Sequence, residues 1–202
     1  MKTKNNYLTL MLLFTTVFTS VAQIAESDLD ISPLLISEKV PDLSITSANG
    51  DTLQLAEVFN EKPTVMLFYR GGWCPYCNRH LSAVNDIEDE INALGYQIIG
   101  VSPDSPENLN VSVDKAGLKY KLFSDANGAL SQAMGIAFKA PERYLSKLNK
   151  FSAGLNSGFL PVPSVFVVGT DGTILFEYIS PNYKQRISAG LLLEVLKQLK
   201  EK

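Results

Sequence analysis

The chain has 202 residues, a formal net charge of −3 and no block of basic residues. This length suits one domain with a complete hydrophobic core, and apolar and charged fractions of 46% and 19% are ordinary for a globular protein. Because no basic cluster is present, we expect neither nucleic acid nor an anionic membrane surface as a partner.

The first 22 residues have the pattern of a secretory signal peptide. Two lysines give a positive start, an apolar run follows over residues 8–18, and Ser20-Val21-Ala22 has the small-x-small form of a cleavage site. The apolar run is too short to predict a membrane span, and an uncleaved N-terminal anchor is the alternative. We therefore predict a signal peptide over 1–22 and an exported protein, periplasmic or extracellular, whose mature chain is 23–202.

The first half of the mature chain predicts a strand–helix–strand unit. In chain order we expect strands over 40–45 and 52–55, a helical turn over 56–60, a buried strand over 64–69, a helix from Cys74 to Gly95, and a buried strand over 96–102. The strands over 64–69 and 96–102 are almost continuously apolar, as is typical of strands buried on both faces. Joined by a right-handed helical crossover, the two strands should be parallel.

The second half predicts further helices and then a hairpin. We expect helices over 105–116, 127–135, 141–150 and 185–200, a short strand over 121–123, and strands over 164–168 and 174–179 joined by a turn at 170–173. The more polar residues 139–158 are interpreted as an insertion in a single domain over 23–202. The fold class is α/β, with a mixed central sheet covered by helices on both faces.

The two cysteines of the chain lie three residues apart in Trp73-Cys74-Pro75-Tyr76-Cys77, between a predicted buried strand and a predicted helix. A disulfide that closes so short a loop gains little stability, so the pair indicates reactivity. In an exported protein such a disulfide would persist. A Cys-x-x-Cys pair at a strand-to-helix junction is typical of thiol–disulfide chemistry on a thioredoxin-like fold.

Pro75 suits the first position of a helix, which makes Cys74 the N-cap residue. The Cys74 sulfur should accept hydrogen bonds from the amides of Tyr76 and Cys77. The helix dipole and Arg70, four residues upstream, should also lower its pKa. Cys77, one turn into the helix, is placed to attack a mixed disulfide on Cys74, in a nucleophile-and-resolver arrangement.

Two further features support this site. Trp73 should shield one side of it and also pack as a core aromatic. The Val162-Pro163 pair, just before a late buried strand, stands where thioredoxin-like proteins carry a cis-proline. We predict a cis bond that leaves the Val162 backbone free to pair with an extended thiol substrate; the alternative is a trans proline that begins a strand.

A metal site is the main alternative use of the cysteines. Zinc would need Cys74, Cys77, His80 and a fourth ligand, but the chain has no other cysteine or histidine. A copper relay would have only methionines left as soft ligands. His80 is either a catalytic base or simply a helix residue. We predict neither a metal nor a cofactor.

Residues 68–77, 99–103, 123–125 and 161–167 together resemble the peroxiredoxin-like branch of the alkyl hydroperoxide reductase/thiol-specific antioxidant family. The similarity covers roughly residues 38–200. It implies a thioredoxin-like fold, a peroxide substrate and an external thiol or dithiol reductant, such as a thioredoxin-like protein.

The family pattern and the local motif disagree about the site. Peroxiredoxins carry Phe-Tyr-Pro-x-x-x-Thr-x-x-Cys, which places their peroxidatic cysteine on Cys77, their threonine on Cys74 and their proline on Arg70. Their peroxide-binding arginine falls at Pro163. Thioredoxins instead use the first cysteine of Trp-Cys-x-x-Cys as nucleophile, so either Cys74 or Cys77 is open as the attacking residue.

These observations favour a thiol-dependent antioxidant oxidoreductase that reduces peroxides through a dithiol/disulfide cycle. One thiolate would attack the peroxide and become a sulfenic acid, and the other cysteine would condense with it. The first alternative is an exported protein disulfide reductase or isomerase without a peroxide step. A non-catalytic thioredoxin-fold binding module is a further alternative.

Overall fold

The computed structural model describes residues 24–201, so the predicted signal peptide lies outside the described residues. The elements in chain order are β1 Ser44–Ser47, β2 Thr52–Gln54, α1 Leu55–Glu61, β3 Thr64–Phe68, α2 Pro75–Asn85, α3 Glu88–Ala93, β4 Gln97–Ser102, α4 Pro106–Ala116, β5 Lys121–Ser124, α5 Ala129–Ala133, β6 Ala137–Lys139, α6 Glu142–Phe151, β7 Phe159–Pro161, β8 Ser164–Val168, β9 Ile174–Ile179 and α7 Ala189–Lys200. Over the described range no helix combines the length and the hydropathy that a bilayer crossing requires.

Seven strands form the central sheet in the order β2-β1-β5-β4-β3-β8-β9. The pairs β3–β4 and β4–β5 are parallel, and the other neighbouring strands are antiparallel. The predicted mixed sheet is therefore confirmed, and so is the parallel pairing of the two apolar strands around the Cys-x-x-Cys helix.

The side chains of β3 alternate between two layers of core. Val65 and Leu67 belong to one cluster, which α2, α3, α4 and α7 cover, whereas Met66 and Phe68 belong to the other, which α1 and α5 cover. A strand with helices on both faces exposes no side chain to water, which explains why the run is continuously apolar. Each of these buried side chains contributes about 1.5–3 kcal/mol to folding.

A third, smaller cluster lies beside the cysteine loop. Its buried members come from the antiparallel strand pair β6–β7, from α6 between these strands and from the residue before Pro163: Phe138, Leu148, Leu160 and Val162. Trp73 and Tyr144 pack against it. The β6–β7 pair was not predicted. The segment 139–158, which we interpret as an insertion, thus places α6 against Trp73; its status as an insertion stays a prediction.

Two helix boundaries differ from the sequence-based expectation. The helix expected from Cys74 to Gly95 is interrupted between α2 and α3, where the Asn85 side chain accepts from the Lys119 amide and donates to the Gly117 carbonyl. The last helix begins at Ala189 rather than at 185, because Ser188 caps it by accepting from the Leu191 amide at 3.2 Å. Residues 182–187 consequently form a loop.

Gly135, which follows α5, packs closely against the N-terminal segment at Ser32 and Pro33. Its φ is +68°, and a Cβ there would lie 1.9 Å from the Ser32 carbonyl oxygen. Because both the left-handed backbone and this contact disfavour a side chain, we expect Gly135→Ala to lower the free energy of unfolding by about 2 kcal/mol or more. Urea denaturation measures the loss.

Gly190→Ala is the matched control for that substitution. A Cβ at Gly190, in the first turn of α7, meets no other group within 4 Å. Alanine should therefore leave stability unchanged or raise it by up to ~1 kcal/mol. Equal changes in the two variants would contradict the tight packing at Gly135.

Candidate active site

The turn between β3 and α2 is held against the end of β4. Gly71 adopts a φ of +133°, and a Cβ there would lie 2.3 Å from Trp73 Nε1 and 2.7 Å from Asp104 Oδ1. The next amide, of Gly72, donates to Asp104 Oδ2 at 2.6 Å. Only glycine allows this close approach, so the Gly-Gly pair before Trp73 is explained by geometry.

The turn delivers the two cysteines to the start of α2. Pro75 is the first residue of the helix and Cys74 is its N-cap. Both cysteines are free thiols, with Cys74 2% exposed and Cys77 wholly buried. The first turn of α2 forms no capping hydrogen bond to the Cys74 sulfur, so the predicted bond from the Tyr76 amide is absent, whereas the Cys77 amide still stabilises the thiolate.

The pKa values of the two thiols are shifted in opposite directions. The pKa of Cys74 is lowered to about 6, first by the hydrogen bond from the Cys77 thiol, then by the Cys77 backbone N–H and the charges of Arg70 and Arg186, against the opposing effect of burial. The pKa of Cys77 is raised, chiefly by burial and then by its contact with Cys74. At neutral pH the pair therefore holds one thiolate, on Cys74, and one thiol proton, on Cys77.

Arg70 lies under a cage of three aromatic rings. The residue is 3% exposed, and its guanidinium carbon stands 4.3 Å from the ring centroid of Tyr183, 4.5 Å from that of Tyr144 and 5.3 Å from that of Trp73. The Tyr144 and Trp73 rings in turn contact each other, 5.6 Å apart. Trp73 is half-buried and packs against the large and the small core cluster, so it is a core aromatic, while its shielding of the site stays a prediction.

Arg186 is a second cation at the site, and sequence reasoning missed it. Its Nη2 lies 3.6 Å from Cys77 Sγ, while Nη1 donates to the carbonyl oxygens of Tyr183 and Gln185. The residue sits in the loop before α7, the segment that was predicted to be helical. No local pattern marks it, because its contact with Cys77 joins residues 109 positions apart.

Asp104 was also missed, although a signal for it exists. It follows β4, and the carboxyl ends of parallel neighbouring strands meet at one edge of a sheet. Burial, partly offset by the Gly72 hydrogen bond, raises its pKa to about 7, and the nearby Cys74 charge adds to the rise. The carboxyl therefore titrates in the physiological range beside the thiolate.

His80 has little capacity as a base. Burial, together with the positive charge of Arg186, lowers its pKa to about 4. The imidazole is therefore neutral and a weak proton acceptor at neutral pH. Among the described residues, no group of three or more His, Cys, Asp or Glu side chains is arranged to hold a metal ion.

The predicted cis bond at Val162-Pro163 is wrong. All peptide bonds of the described residues are trans. Val162 is buried, its amide donates to the Ile136 carbonyl at 2.8 Å, and its carbonyl accepts from the Ser164 hydroxyl at 2.8 Å. Because the Ile136 carbonyl and the Ser164 hydroxyl already bond the amide and the carbonyl of Val162, this residue has no free backbone edge to offer an extended substrate. Pro163 instead lines a small cavity beside Arg70.

Known proteins resemble the chain in both sequence and fold. The model of the AhpC/TSA family matches residues 36–176. Peroxiredoxin Bcp of Bacillus subtilis is 26% identical over 167 residues, which cover 83% of this chain and 98% of that protein. A putative peroxiredoxin of Mycobacterium tuberculosis is 28% identical over 138 residues, which cover 68% of this chain and 80% of that protein.

Two solved structures show the same fold. Peroxidoxin BcpB of Mycobacterium tuberculosis superposes with a TM-score of 0.66 at 20% identity, covering 82% of this chain and 96% of that one. Xanthomonas campestris peroxiredoxin Q superposes with a TM-score of 0.64 at 21% identity, covering 82% of this chain and 98% of that one.

A mixed sheet with a redox-competent cysteine pair at the start of a helix defines a thioredoxin-like thiol oxidoreductase. The chain belongs to the AhpC/TSA family. The predictions of a thioredoxin-like fold and of a thiol-dependent, peroxiredoxin-like antioxidant enzyme are thereby confirmed. Membership implies a peroxide as the oxidising substrate and a thiol reductant as partner.

Arg186 should control the ionisation of the cysteine pair. Because its charge lowers the pKa of both sulfurs, we expect Arg186→Gln to move the pH profile of Cys74 alkylation by iodoacetamide to higher pH. At pH 6 the alkylation rate should fall by roughly two- to threefold. Arg79→Gln, an exposed cation of α2 that stacks on Tyr76, is the control and should leave the profile in place. Identical shifts in both variants would show a general charge effect instead.

Proposed function

We propose that the enzyme reduces hydroperoxides with Cys74 as the attacking thiolate and Cys77 as the resolving thiol. The observation that carries this assignment is the opposite displacement of the two pKa values: Cys74 is ionised at neutral pH, whereas Cys77 keeps its proton. The thiolate is the nucleophilic form of cysteine, so the ionised sulfur attacks first. This assigns the roles in the thioredoxin order, not in the order of the peroxiredoxin alignment.

The reaction then runs in three balanced steps. The Cys74 thiolate attacks the terminal oxygen of ROOH, the O–O bond breaks, and the leaving RO⁻ takes a proton to become ROH, which leaves a sulfenic acid on Cys74. The Cys77 thiol condenses with the sulfenic acid to give the disulfide and water. An external dithiol reduces the disulfide to two thiols and is itself oxidised to a disulfide.

The two arginines supply the positive charge for these steps. Arg70 and Arg186 both stabilise the Cys74 thiolate. The position of the family's peroxide-binding arginine is occupied by Pro163, so we assign that electrostatic role to Arg186, whose guanidinium lies 3.6 Å from Cys77 Sγ. A cation fixed beside the cysteines also stabilises the negative charge that develops on the leaving oxygen.

The alternative, a disulfide reductase for protein substrates, has less support. Such an enzyme needs a backbone edge near the nucleophile on which an extended substrate can lie. The amide and the carbonyl of Val162, the expected docking residue, are both bonded within the protein. We therefore favour small peroxides over protein disulfides as the substrates.

Single-cysteine variants test the order of attack. We expect Cys77→Ser to form a sulfenic acid on Cys74 that dimedone traps, without completing the disulfide. Cys74→Ser should react with peroxide roughly 100-fold more slowly, because burial raises the pKa of the remaining Cys77 thiol and keeps it protonated at neutral pH. Stopped-flow peroxide consumption and mass spectrometry measure both. Rapid sulfenic acid formation on Cys77 in the Cys74→Ser variant would reverse the assignment.

Export of the enzyme is the second part of the proposal. A positive start, a short apolar run and a small-x-small site in residues 1–22 support a cleaved signal peptide. Protein recovered from expressing cells should begin near Gln23, as determined by N-terminal mass spectrometry. Leu12→Arg, which interrupts the apolar run, should keep Met1. An intact N-terminus on the unmodified chain would rule out cleavage.

A further inference from the structure

The guanidinium of Arg70 is buried and forms no direct ion pair with a carboxylate of the described residues. None of the ion pairs among residues 24–201 includes Arg70, and its buried Nε–H has no acceptor. Burying a charge costs several kcal/mol unless it is paired. The ring faces of Tyr144 and Tyr183 offset part of this cost. Arg70 acts on the Cys74 thiolate through its charge, but no described carboxylate pairs with it directly, so its cavity side can still accept a negatively charged partner.

A cavity of about 90 Å³ opens beside this charge. Arg70, Arg143, Tyr144 and Tyr183 supply its polar wall, and three prolines and two apolar residues supply the remainder, together with Asp28. The space is large enough to hold a small planar anion such as a carboxylate.

Arg143 brings a second positive charge to the same cavity. It is exposed on α6, its guanidinium carbon stands 4.8 Å from the Tyr144 ring centroid, and it forms no ion pair within the described chain. Two guanidinium groups that converge on one small space form the pattern that binds carboxylates. Asp28, the one carboxylate in the lining, pairs with neither arginine.

We propose that the cavity between Arg70, Arg143 and Tyr183 is a carboxylate-binding subsite of this enzyme. The carboxylate comes either from an acidic organic hydroperoxide or from an acidic thiol reductant, and both present the same planar anion to the arginines. The inference rests on the proposed function, because Arg70 also stabilises the Cys74 thiolate and so lies within electrostatic reach of the reaction.

Tyr144 reports on the charge in the cavity. Hydrogen bonds from Arg70 and Arg143, and then their positive charges, lower its pKa to about 8 against the opposing effect of burial. A bound anion would neutralise part of that charge and raise the Tyr144 pKa again, so anion and phenolate compete for the same two cations. The other charged or titratable groups that face the cavity or its rings are Asp28, Tyr183, Lys147 and Lys184.

Spectroscopic titration tests the subsite without turnover. Phenolate absorbance is followed against pH in acetate and in chloride at equal ionic strength, and the signal of Tyr144 is obtained by subtracting the Tyr144→Phe variant. We expect acetate, but not chloride, to raise the Tyr144 midpoint. Arg143→Gln should weaken acetate binding roughly tenfold, while Lys150→Gln, on the same helix but outside the cavity lining, should leave it unchanged. An identical titration in acetate and in chloride would overturn the subsite.

Kinetics with matched substrates identify the source of the carboxylate. One arm compares a short hydroperoxycarboxylate with its methyl ester, and the other compares 3-mercaptopropionate with 2-mercaptoethanol as reductant. Arg143→Gln should lower kcat/KM roughly tenfold for the acid in one arm and leave its neutral counterpart unchanged. Equal rates for acid and neutral forms in both arms would overturn the subsite while the peroxidase reaction stands. Failure to reduce any hydroperoxide would overturn the proposed function instead, and the acetate titration would still decide on the subsite.

Discussion

Parallel pairing of β3 with β4 places the ends of two buried strands at one edge of the sheet, and the active site is built from the segments that leave those ends. The cysteine turn comes directly after β3, and Asp104 comes after β4 and holds that turn through the Gly72 amide. On the other side of β3, the antiparallel β8 begins at the same edge, so Pro163 reaches it as well. Without this register, the sulfur atoms, the carboxyl and the proline would not meet.

Burial disfavours ionisation of the Cys74 thiol, and cations from separate parts of the chain help to offset this effect. Arg70 lies just after the end of β3, and Arg186 comes from the loop before α7. Both charges persist when the disulfide forms and the thiolate disappears, since arginine does not lose its proton. Oxidation therefore leaves an excess of positive charge at the site, which favours anions in the oxidised state and assists attack by an incoming thiolate.

Sequence patterns predicted the elements whose signals are local. The continuously apolar runs of β3, β4 and β8, and the turn before β9, were found because burial on both faces and turn chemistry are visible within a few residues. The same is true of Cys74 at the start of α2. Arg186 and Tyr144 were not predicted as site residues, because their contacts with Cys77 and Arg70 join segments far apart in the sequence. The predicted cis-proline was wrong, and the Val162 backbone that it was to expose is instead bonded to the Ile136 carbonyl, a contact that no local pattern shows.

The peroxiredoxin framework and the thioredoxin motif are reconciled by a displacement of one helical turn. Cys77 stands where the family carries its attacking cysteine, yet burial keeps it protonated, and the ionised sulfur is on Cys74 at the N-cap. Arg186 stays with Cys77. In the proposed reductive step an external thiolate attacks Cys74 and expels Cys77 as the leaving thiolate, and Arg186 partly offsets the burial that raises the Cys77 pKa, which favours this departure. Arg186, to which we assign the role of the family's arginine in breaking the O–O bond, is thus also positioned to help break the disulfide.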